Sequence, residues 1–215
     1  MLLAQIAFST FLASTQEKPD QSGLPKLKEI MHFLQASDPC QISGSRFTES
    51  TLGIREYEGD IQIYRQGKNL KYSYCGFFGD NFVLIVNSKN MSIASDDDPA
   101  ISDAPKSWAQ FTEKQSAQSN GGAVISFLAP EKDLNLFVDT TKAITLETQS
   151  AQEEISYFHI DGSKHSVRLL PDHTVEFLTT NPGFSGFRPP FTEIDSLQVR
   201  KHKATFPTWY FEIKK

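Results

Sequence analysis

The sequence predicts an α+β fold: one large antiparallel sheet with helices on one of its sides. About ten segments alternate apolar with polar residues or form short apolar runs, and both patterns are typical of strands. The connections between them are short and rich in Gly, Pro, Asn and Asp, and antiparallel neighbours can be joined by such tight turns. The composition, with 39% hydrophobic and 22% charged residues, is that of a folded globular domain.

The first residues are almost wholly apolar. Residues 2–13 contain three polar side chains, and the first charge is Glu17. A run of this length suits the core of a signal peptide and is too short to span a bilayer. We therefore expect residues 1–16 to be a signal peptide and residues 17–215 to form a single domain. A buried N-terminal helix is the alternative.

A helix is predicted after this leader. Pro25 suits a first helical turn, and Asp38-Pro39 ends the segment. The apolar residues recur at steps of three and four, which places them on one face: Leu24, Leu27, Ile30, Met31 and Leu34. This face is expected to pack against the sheet.

The hydrophobic period then changes to two. Strands are predicted at residues 42–50, 53–65, 70–75, 82–86 and 91–94. The run at 82–86 is continuously apolar, so we expect both of its faces to be covered.

The second half continues the pattern after a polar stretch. A short helix is predicted at 104–111, and the apolar segment 123–128 fits either a helix or a strand. Further strands are predicted at residues 135–139, 143–148, 155–160, 166–170, 174–179, 194–201 and 208–213.

Two function classes are disfavoured by charge and cysteine content. The net charge of -5 argues against a nucleic-acid surface, which needs basic side chains to neutralise phosphates. Cys40 and Cys75 fit one disulfide in an oxidising compartment, or two buried free thiols. Two cysteines alone cannot form a structural zinc site.

The best enzymatic candidate is a cluster of histidines near the C-terminus. His159, His165 and His173 lie close in sequence to Asp161 and Asp172 and could converge on a metal. Turn chemistry explains both aspartates without a function. We therefore expect no enzyme, no metal and no cofactor, and keep a metalloenzyme as a weaker rival hypothesis.

Aromatic residues in a Gly- and Pro-rich loop are harder to explain by turn chemistry. Phe184, Phe187 and Phe191 lie in or beside residues 181–190. Because loops normally run over the surface, such residues must fold back over something. A lid over an apolar cavity and a closed dry core are both compatible with them.

Three central segments resemble a known family. Residues 59–65 (GDIQIYR), 69–74 (NLKYSY) and 83–91 (VLIVNSKNM) look like the central strands of the outer-membrane lipoprotein carrier family, the LolA/LolB-like proteins and their periplasmic relatives. The preceding amphipathic helix is also in place. The sequence departs from the family at Ser88, where the family prefers Gly, and at its C-terminal end.

The resemblance implies a half-open antiparallel barrel whose concave side is apolar and covered by helices. Such a shape can hold an acyl chain. Arg65 matches the family's strand-ending arginine and is a candidate for holding the lid closed. The candidate lining and lid residues are Leu70, Tyr72, Tyr74, Phe82, Leu84, Val86, Phe184, Phe187 and Phe191. The sequence does not tell which alternate face of the strands points inward.

The resulting functional hypothesis is an exported carrier-like protein of the periplasm or cell envelope. Its expected ligand is a lipid or lipoprotein acyl chain, with an envelope protein as a further partner. The alternative is a structural or protein-interaction module of the envelope that has no ligand cavity.

Overall fold

The computed structural model describes residues 18–87, 91–95, 120–128, 134–149, 152–160, 162–181 and 189–212. Two α-helices lie in this part of the chain: α1 (Leu24–Ala36) and α2 (Asn120–Leu128). The strands are β1 (Cys40–Ser50), β2 (Arg55–Gln66), β3 (Asn69–Gly76), β4 (Asn81–Val86), β5 (Met91–Ser95), β6 (Thr145–Gln149), β7 (Gln152–Phe158), β8 (Lys164–Leu169), β9 (Thr174–Asn181) and β10 (Phe191–Lys201). Two 3-10 turns occur at Leu134–Leu136 and Thr208–Phe211.

The ten strands form one antiparallel sheet in the order β5-β4-β3-β2-β1-β10-β9-β8-β7-β6. Two meanders of five strands are therefore joined along β1 and β10, which pair from Cys40 opposite Lys201 to Ser50 opposite Phe191. The edge strands β5 and β6 do not pair with each other, so the sheet is an incomplete barrel. The predicted α+β class is confirmed.

The sheet has two chemically distinct faces. On the inner face, residues of alternate positions pack with α1 and α2 in one continuous apolar core. On the outer face of β2 and β4, a smaller cluster forms around Ile85, Phe206 and Phe211. Both faces of β4 are thus covered, as its unbroken apolar sequence predicts.

The strands place their turns at two ends of the sheet. Residues 51–54 and 77–80 turn the chain at one end, which we call the open end. The turn at residues 67–68 lies at the other end, which we call the helix end because Gly67 is bonded there to Asp38, just beyond α1.

Three sequence predictions need correction or completion. Segment 123–128 is helical, within α2. The predicted strand at 135–139 is wrong: Leu134, Phe137 and Val138 are all buried, and this spacing requires a helical turn instead of alternation. The predicted strand at 208–213 is a 3-10 turn over residues 208–211, entered from Pro207, whose fixed φ and missing N–H suit a turn. The predicted helix at 104–111 and residues 1–16 lie outside the described residues.

The cysteines do not form a disulfide. Cys40 is buried and Cys75 is exposed, and both are free thiols. Cys40 is level with Leu70 on β3, because both pair with Arg65, and Leu70 lies about 16 Å along β3 from Cys75 at the usual rise per residue. A disulfide requires Cα atoms within about 7 Å, so the bridged alternative is excluded by register.

No helix in the described ranges is long and apolar enough to cross a membrane.

Candidate apolar site on the inner face

The site is built from cross-strand rungs on the inner face of β1 to β4. Antiparallel pairing places residues side by side across neighbouring strands, so alternate positions of four strands form continuous rows. Three successive rungs start at the helix end and run toward the open end: Cys40, Arg65, Leu70 and Val86; then Ile42, Ile63, Tyr72 and Leu84; then Gly44, Ile61, Tyr74 and Phe82.

These rungs contain six of the predicted lining residues. The register puts all six on one face, which settles that the inner face carries Leu70, Tyr72, Tyr74, Phe82, Leu84 and Val86. The sequence analysis missed their neighbours Ile42, Ile61 and Ile63, although the alternation of β2 could have identified the latter two.

Burial along the rungs decreases toward the open end. The first two rungs are buried, with Leu84 fully inaccessible and Tyr72 2% exposed. Tyr74 and Phe82 in the third rung are half-buried and pack against the rim of the core. The apolar surface therefore continues from beneath α1 to a partly accessible margin.

Gly59 explains one feature of the resemblance to the carrier family. It lies on the inner face of β2, opposite Gly76 of β3. A Cβ at this position would collide with the Cys75 carbonyl oxygen and touch the ring of Tyr74. Glycine here lets the Tyr74 ring lie over the strand at the end of the apolar surface.

Helix α1 covers the helix end of the inner face. Its residues Leu27, Ile30 and Leu34 are at most 1% exposed and belong to the core. Before the helix begins, the Gly23 N–H donates to the Ile144 carbonyl at 2.8 Å, and the Ile144 N–H donates to Asp20 at 2.7 Å. The N-terminal end of α1 is thus attached to the segment leading into β6.

The C-terminal end of α1 is attached through Arg65. Its Nη1 donates to the Gln35 carbonyl of α1 at 2.9 Å, and Gln35 Nε2 donates in turn to the Phe127 carbonyl of α2 at 3.2 Å. Arg65 is 7% exposed, and its Nε has no hydrogen-bond partner among the described residues. The unpaired Nε makes the burial of this guanidinium costly, so the net stability that Arg65 provides is less than its hydrogen bond to Gln35 alone would give.

A buried ion pair lies beyond the third rung, toward the open end. Arg46 of β1 faces Asp195 of β10, with Nε and Nη2 donating to the carboxylate at 2.7 and 2.9 Å. The guanidinium also lies 4.7 Å from the centre of the Tyr74 ring. Burial opposes the charge on Arg46, but the Asp195 carboxylate outweighs it and raises the Arg46 pKa.

This pair marks the place on the inner face where the apolar rungs end. Nη2 of Arg46 approaches the Tyr72 hydroxyl at 3.5 Å, so the pair also gives a polar partner to the largest buried ring of the site. Burial raises the pKa of Tyr72, and the charge of Arg46 opposes this only in part. Tyr72 therefore stays a neutral phenol at physiological pH.

The other half of the inner face is filled by the protein's own aromatic residues. Phe127 of α2 lies with its ring 5.1 to 5.8 Å from the rings of Phe137, Tyr157 and Phe177. All four are at most 1% exposed. Beneath α2 the barrel therefore has a packed core. The apolar surface whose burial decreases toward the open end lies on strands β1 to β4.

The remaining predicted residues are distributed differently. Phe191 begins β10 opposite Ser50, at the open end, and is half-buried. Phe184 and Phe187 lie outside the described residues.

The histidines proposed as metal ligands lie in two places. His159 and His165 are buried with ring centroids 6.1 Å apart, whereas His173 stacks on Phe33 of α1. Within the described ranges, no three His, Cys, Asp or Glu side chains are grouped so that they could hold a metal ion.

The open end also carries exposed apolar side chains. They lie on the turns after β1, β3 and β7 and at the start of β2: Leu52, Ile54, Tyr57, Phe77, Phe78 and Ile160. The rings of Phe77 and Phe78 are 5.2 Å apart, and Phe77 also contacts Tyr57. Exposed apolar side chains grouped in this way are typical of interaction surfaces.

The chain is similar in structure to several solved proteins, which include the following two. A LolA superfamily protein from Nitrosomonas europaea matches 89% of this chain and 97% of its own, at 11% sequence identity and a TM-score of 0.42. A DUF1329 family protein from Desulfovibrio piger matches 89% of this chain and 98% of its own, at 10% identity and a TM-score of 0.37. No protein-family model and no curated protein sequence matches the chain.

Proposed function

We propose that the protein is an exported carrier-like protein that binds a lipid or lipoprotein acyl chain against the inner face of β1 to β4. The observation that supports this most directly is the graded apolar surface. This surface begins under α1 and extends toward the open end as far as the half-buried side chains of Tyr74 and Phe82. A chain entering there passes the Arg46–Asp195 pair beside Tyr74 and then meets the apolar side chains of the rungs.

In this proposal α1 acts as a lid and Arg65 holds it closed. An acyl chain that replaces the lid's contacts gains about 0.8 kcal/mol for each methylene that it buries. Displacing the C-terminal end of α1 breaks the hydrogen bond from Arg65 to Gln35, and the burial of a few methylenes offsets that loss. Because apolar contacts are non-directional, the carrier would accept chains of different structure.

The test uses a neutral apolar dye, N-phenyl-1-naphthylamine, whose fluorescence rises in an apolar environment. Phe82→Glu places a charge among the half-buried apolar residues of the third rung. Burying an unpaired carboxylate is strongly unfavourable, so we expect dye binding to weaken at least tenfold. Fluorescence titration measures the change.

Val83→Glu is the matched control. It lies next to Phe82 on β4, is also half-buried, and points to the outer face. We expect the dye to bind this variant as it binds the unmodified protein. Equal affinity of the dye for all three proteins would refute binding at the inner face.

The exposed turns at the open end favour a second candidate function, that of an envelope protein-interaction module. A photo-crosslinking residue at Phe78 would then give an adduct with a partner protein. The same residue at Trp209, which is also exposed but lies in the C-terminal turn, would not. Identical adduct patterns at both positions would contradict this candidate.

Export is part of the proposal and is supported by the apolar leader at residues 1–16. The protein would act in the periplasm or cell envelope, with no catalytic role. Fractionation of cells producing the full chain tests this point, since cleavage near residue 16 and release with the periplasmic contents are expected.

A further inference from the structure

A cavity lies outside the inner-face site. It has a volume of about 590 Å³ and lies between α1 and the segment that follows α2. Its described walls are Leu24, Lys28, Met31, His32 and Gln35 of α1, together with Leu134, Asn135 and Thr140. We call it the α1 groove. None of the inner-face rung residues belongs to it.

The α1 groove lies at the edge of the core. Leu27, Ile30 and Leu34 face the sheet, whereas Leu24, Lys28 and Met31 recur at four- and three-residue steps on the adjacent flank. Met31 and Leu134 belong to the core cluster and Leu24 packs against it, so the groove presents the margin of the core beside Lys28 and His32.

The walls of the groove combine an apolar base with positive charge. Leu24, Met31 and Leu134 provide the apolar part. Lys28 and His32 are one helical turn apart and both exposed, and no carboxylate is among the described wall residues. This arrangement complements a molecule that has an apolar chain and an anionic head.

Lys28 differs from its nearest helical neighbour of the same charge. Lys26 is paired with Glu29 at 3.2 Å and with Glu153 at 3.3 Å. Lys28 has no ion pair with any residue that the structure describes. Among the described residues, no carboxylate lies within ion-pair distance of its ammonium at the rim of the cavity.

We infer that the α1 groove binds a single-chain amphiphile with an anionic head, either a carboxylate or a phosphate monoester. The chain lies against Leu24, Met31 and Leu134, and the head lies at Lys28 and His32. A volume of about 590 Å³ is within the usual range for small-molecule sites. The inference rests on the proposed function only in assuming an apolar chain as ligand, and it places that ligand in a different cavity.

Isothermal titration calorimetry with laurate and with dodecyl phosphate, both kept below their micelle concentrations, tests the inference. The double variant Lys28→Ala/His32→Ala should bind both at least tenfold more weakly. Lys164→Ala, which removes an exposed lysine of β8, should bind them unchanged. Because all three altered side chains are exposed, we expect the variants to keep the melting temperature of the unmodified protein.

Two further probes separate the contributions of chain and head. Dodecanol and inorganic phosphate should each bind at least tenfold more weakly than dodecyl phosphate. If phosphate alone binds as tightly as dodecyl phosphate, the groove recognises an anion without a chain, and the inference fails. Equal losses in the double variant and in Lys164→Ala would indicate general charge attraction and would also overturn it.

The inner-face variant keeps the two proposals distinguishable. Phe82→Glu should weaken dye binding at least tenfold and remove only the inner-face share of laurate binding, leaving the share that Lys28→Ala/His32→Ala removes. Laurate binding that is lost in Phe82→Glu and retained in the groove variant would overturn the α1 groove and support the inner face. If neither laurate nor dodecyl phosphate binds the unmodified protein, the groove inference fails, and the dye titration alone then decides the inner face.

Discussion

The two faces of β4 are both apolar, yet they are covered in different ways. On the outer face, Tyr64 contacts the rings of Tyr210 and Phe206 at 4.9 and 5.4 Å, so aromatic side chains pack directly on one another. On the inner face, the cover is a separate helix that is attached at its ends. Burial alone therefore does not mark the candidate site, because both faces are covered; what differs is that a helix covers the inner face and neighbouring aromatic rings cover the outer face.

Breaking the ion pair between Arg46 and Asp195 should cause the largest loss of unfolding free energy. Arg46→Ala leaves the Asp195 carboxylate fully buried without its cation, which costs about 3–5 kcal/mol of unfolding free energy. Urea unfolding measures this loss. Arg168→Ala, which breaks the longer contacts of Arg168 to Glu154 and Glu176 on the outer face, should cost up to about 1 kcal/mol. Similar costs for both variants would contradict the distinction.

Removal of the aromatic cover should destabilise the outer face and spare ligand binding. Phe211 is 2% exposed and packs with Phe206 over Ile85. Phe211→Ala should cost about 3 kcal/mol, because it leaves a cavity at the chain end. Dye affinity, measured at a temperature where the variant is folded, should be unchanged. A loss of affinity would mean that the two faces are coupled.

Loosening the lid should strengthen ligand binding. Arg65→Met removes the hydrogen bond to the Gln35 carbonyl while keeping a side chain of similar length. Because a hydrogen bond from a charged donor contributes about 1.5–3 kcal/mol, we expect dye affinity to rise about tenfold. Arg55→Met at the start of β2, where Arg55 pairs with Glu49, is the control and should leave affinity unchanged. Weaker binding by the Arg65 variant would contradict the lid.

The sequence predicted the rungs but not their surroundings, and the reason is physical. The alternation along β3 and the apolar run of β4 are local patterns, so Leu70, Tyr72 and Leu84 could be selected from the sequence. The ion pair of Arg46 with Asp195 joins residues 149 positions apart, and no local pattern encodes it. The inner direction of the rungs likewise depends on where α1 packs, which only the tertiary structure fixes.

The cysteines illustrate the same limit. Their number allowed a disulfide, whereas register places them at different levels of the sheet. Segments 135–139 and 208–213 were read as strands because short apolar runs look alike in strands and in helical turns.

The smallest expected effect is a difference in reactivity between the thiols of Cys40 and Cys75. Burial raises the pKa of Cys40 to about 11, and the charge of Arg65 opposes this only in part. The exposed Cys75 should react with iodoacetamide at pH 8, while Cys40 should react only after unfolding. Because the folded thiol has the higher pKa, its contribution to stability is complete below about pH 9 and is lost between about pH 9 and 11. Equal labelling rates for the two thiols in the folded protein would contradict the burial of Cys40.

Native mass spectrometry of the full chain, produced with its leader in a bacterial host and purified without detergent, tests the central claim most directly. All samples carry Lys28→Ala/His32→Ala, so that the α1 groove does not contribute. We expect a lipid or acyl-chain adduct on this protein and on its Val83→Glu form, and the absence of the adduct on its Phe82→Glu form. An adduct that persists in the Phe82→Glu form, or protein free of lipid in all three samples, would contradict the binding of an acyl chain at the inner face.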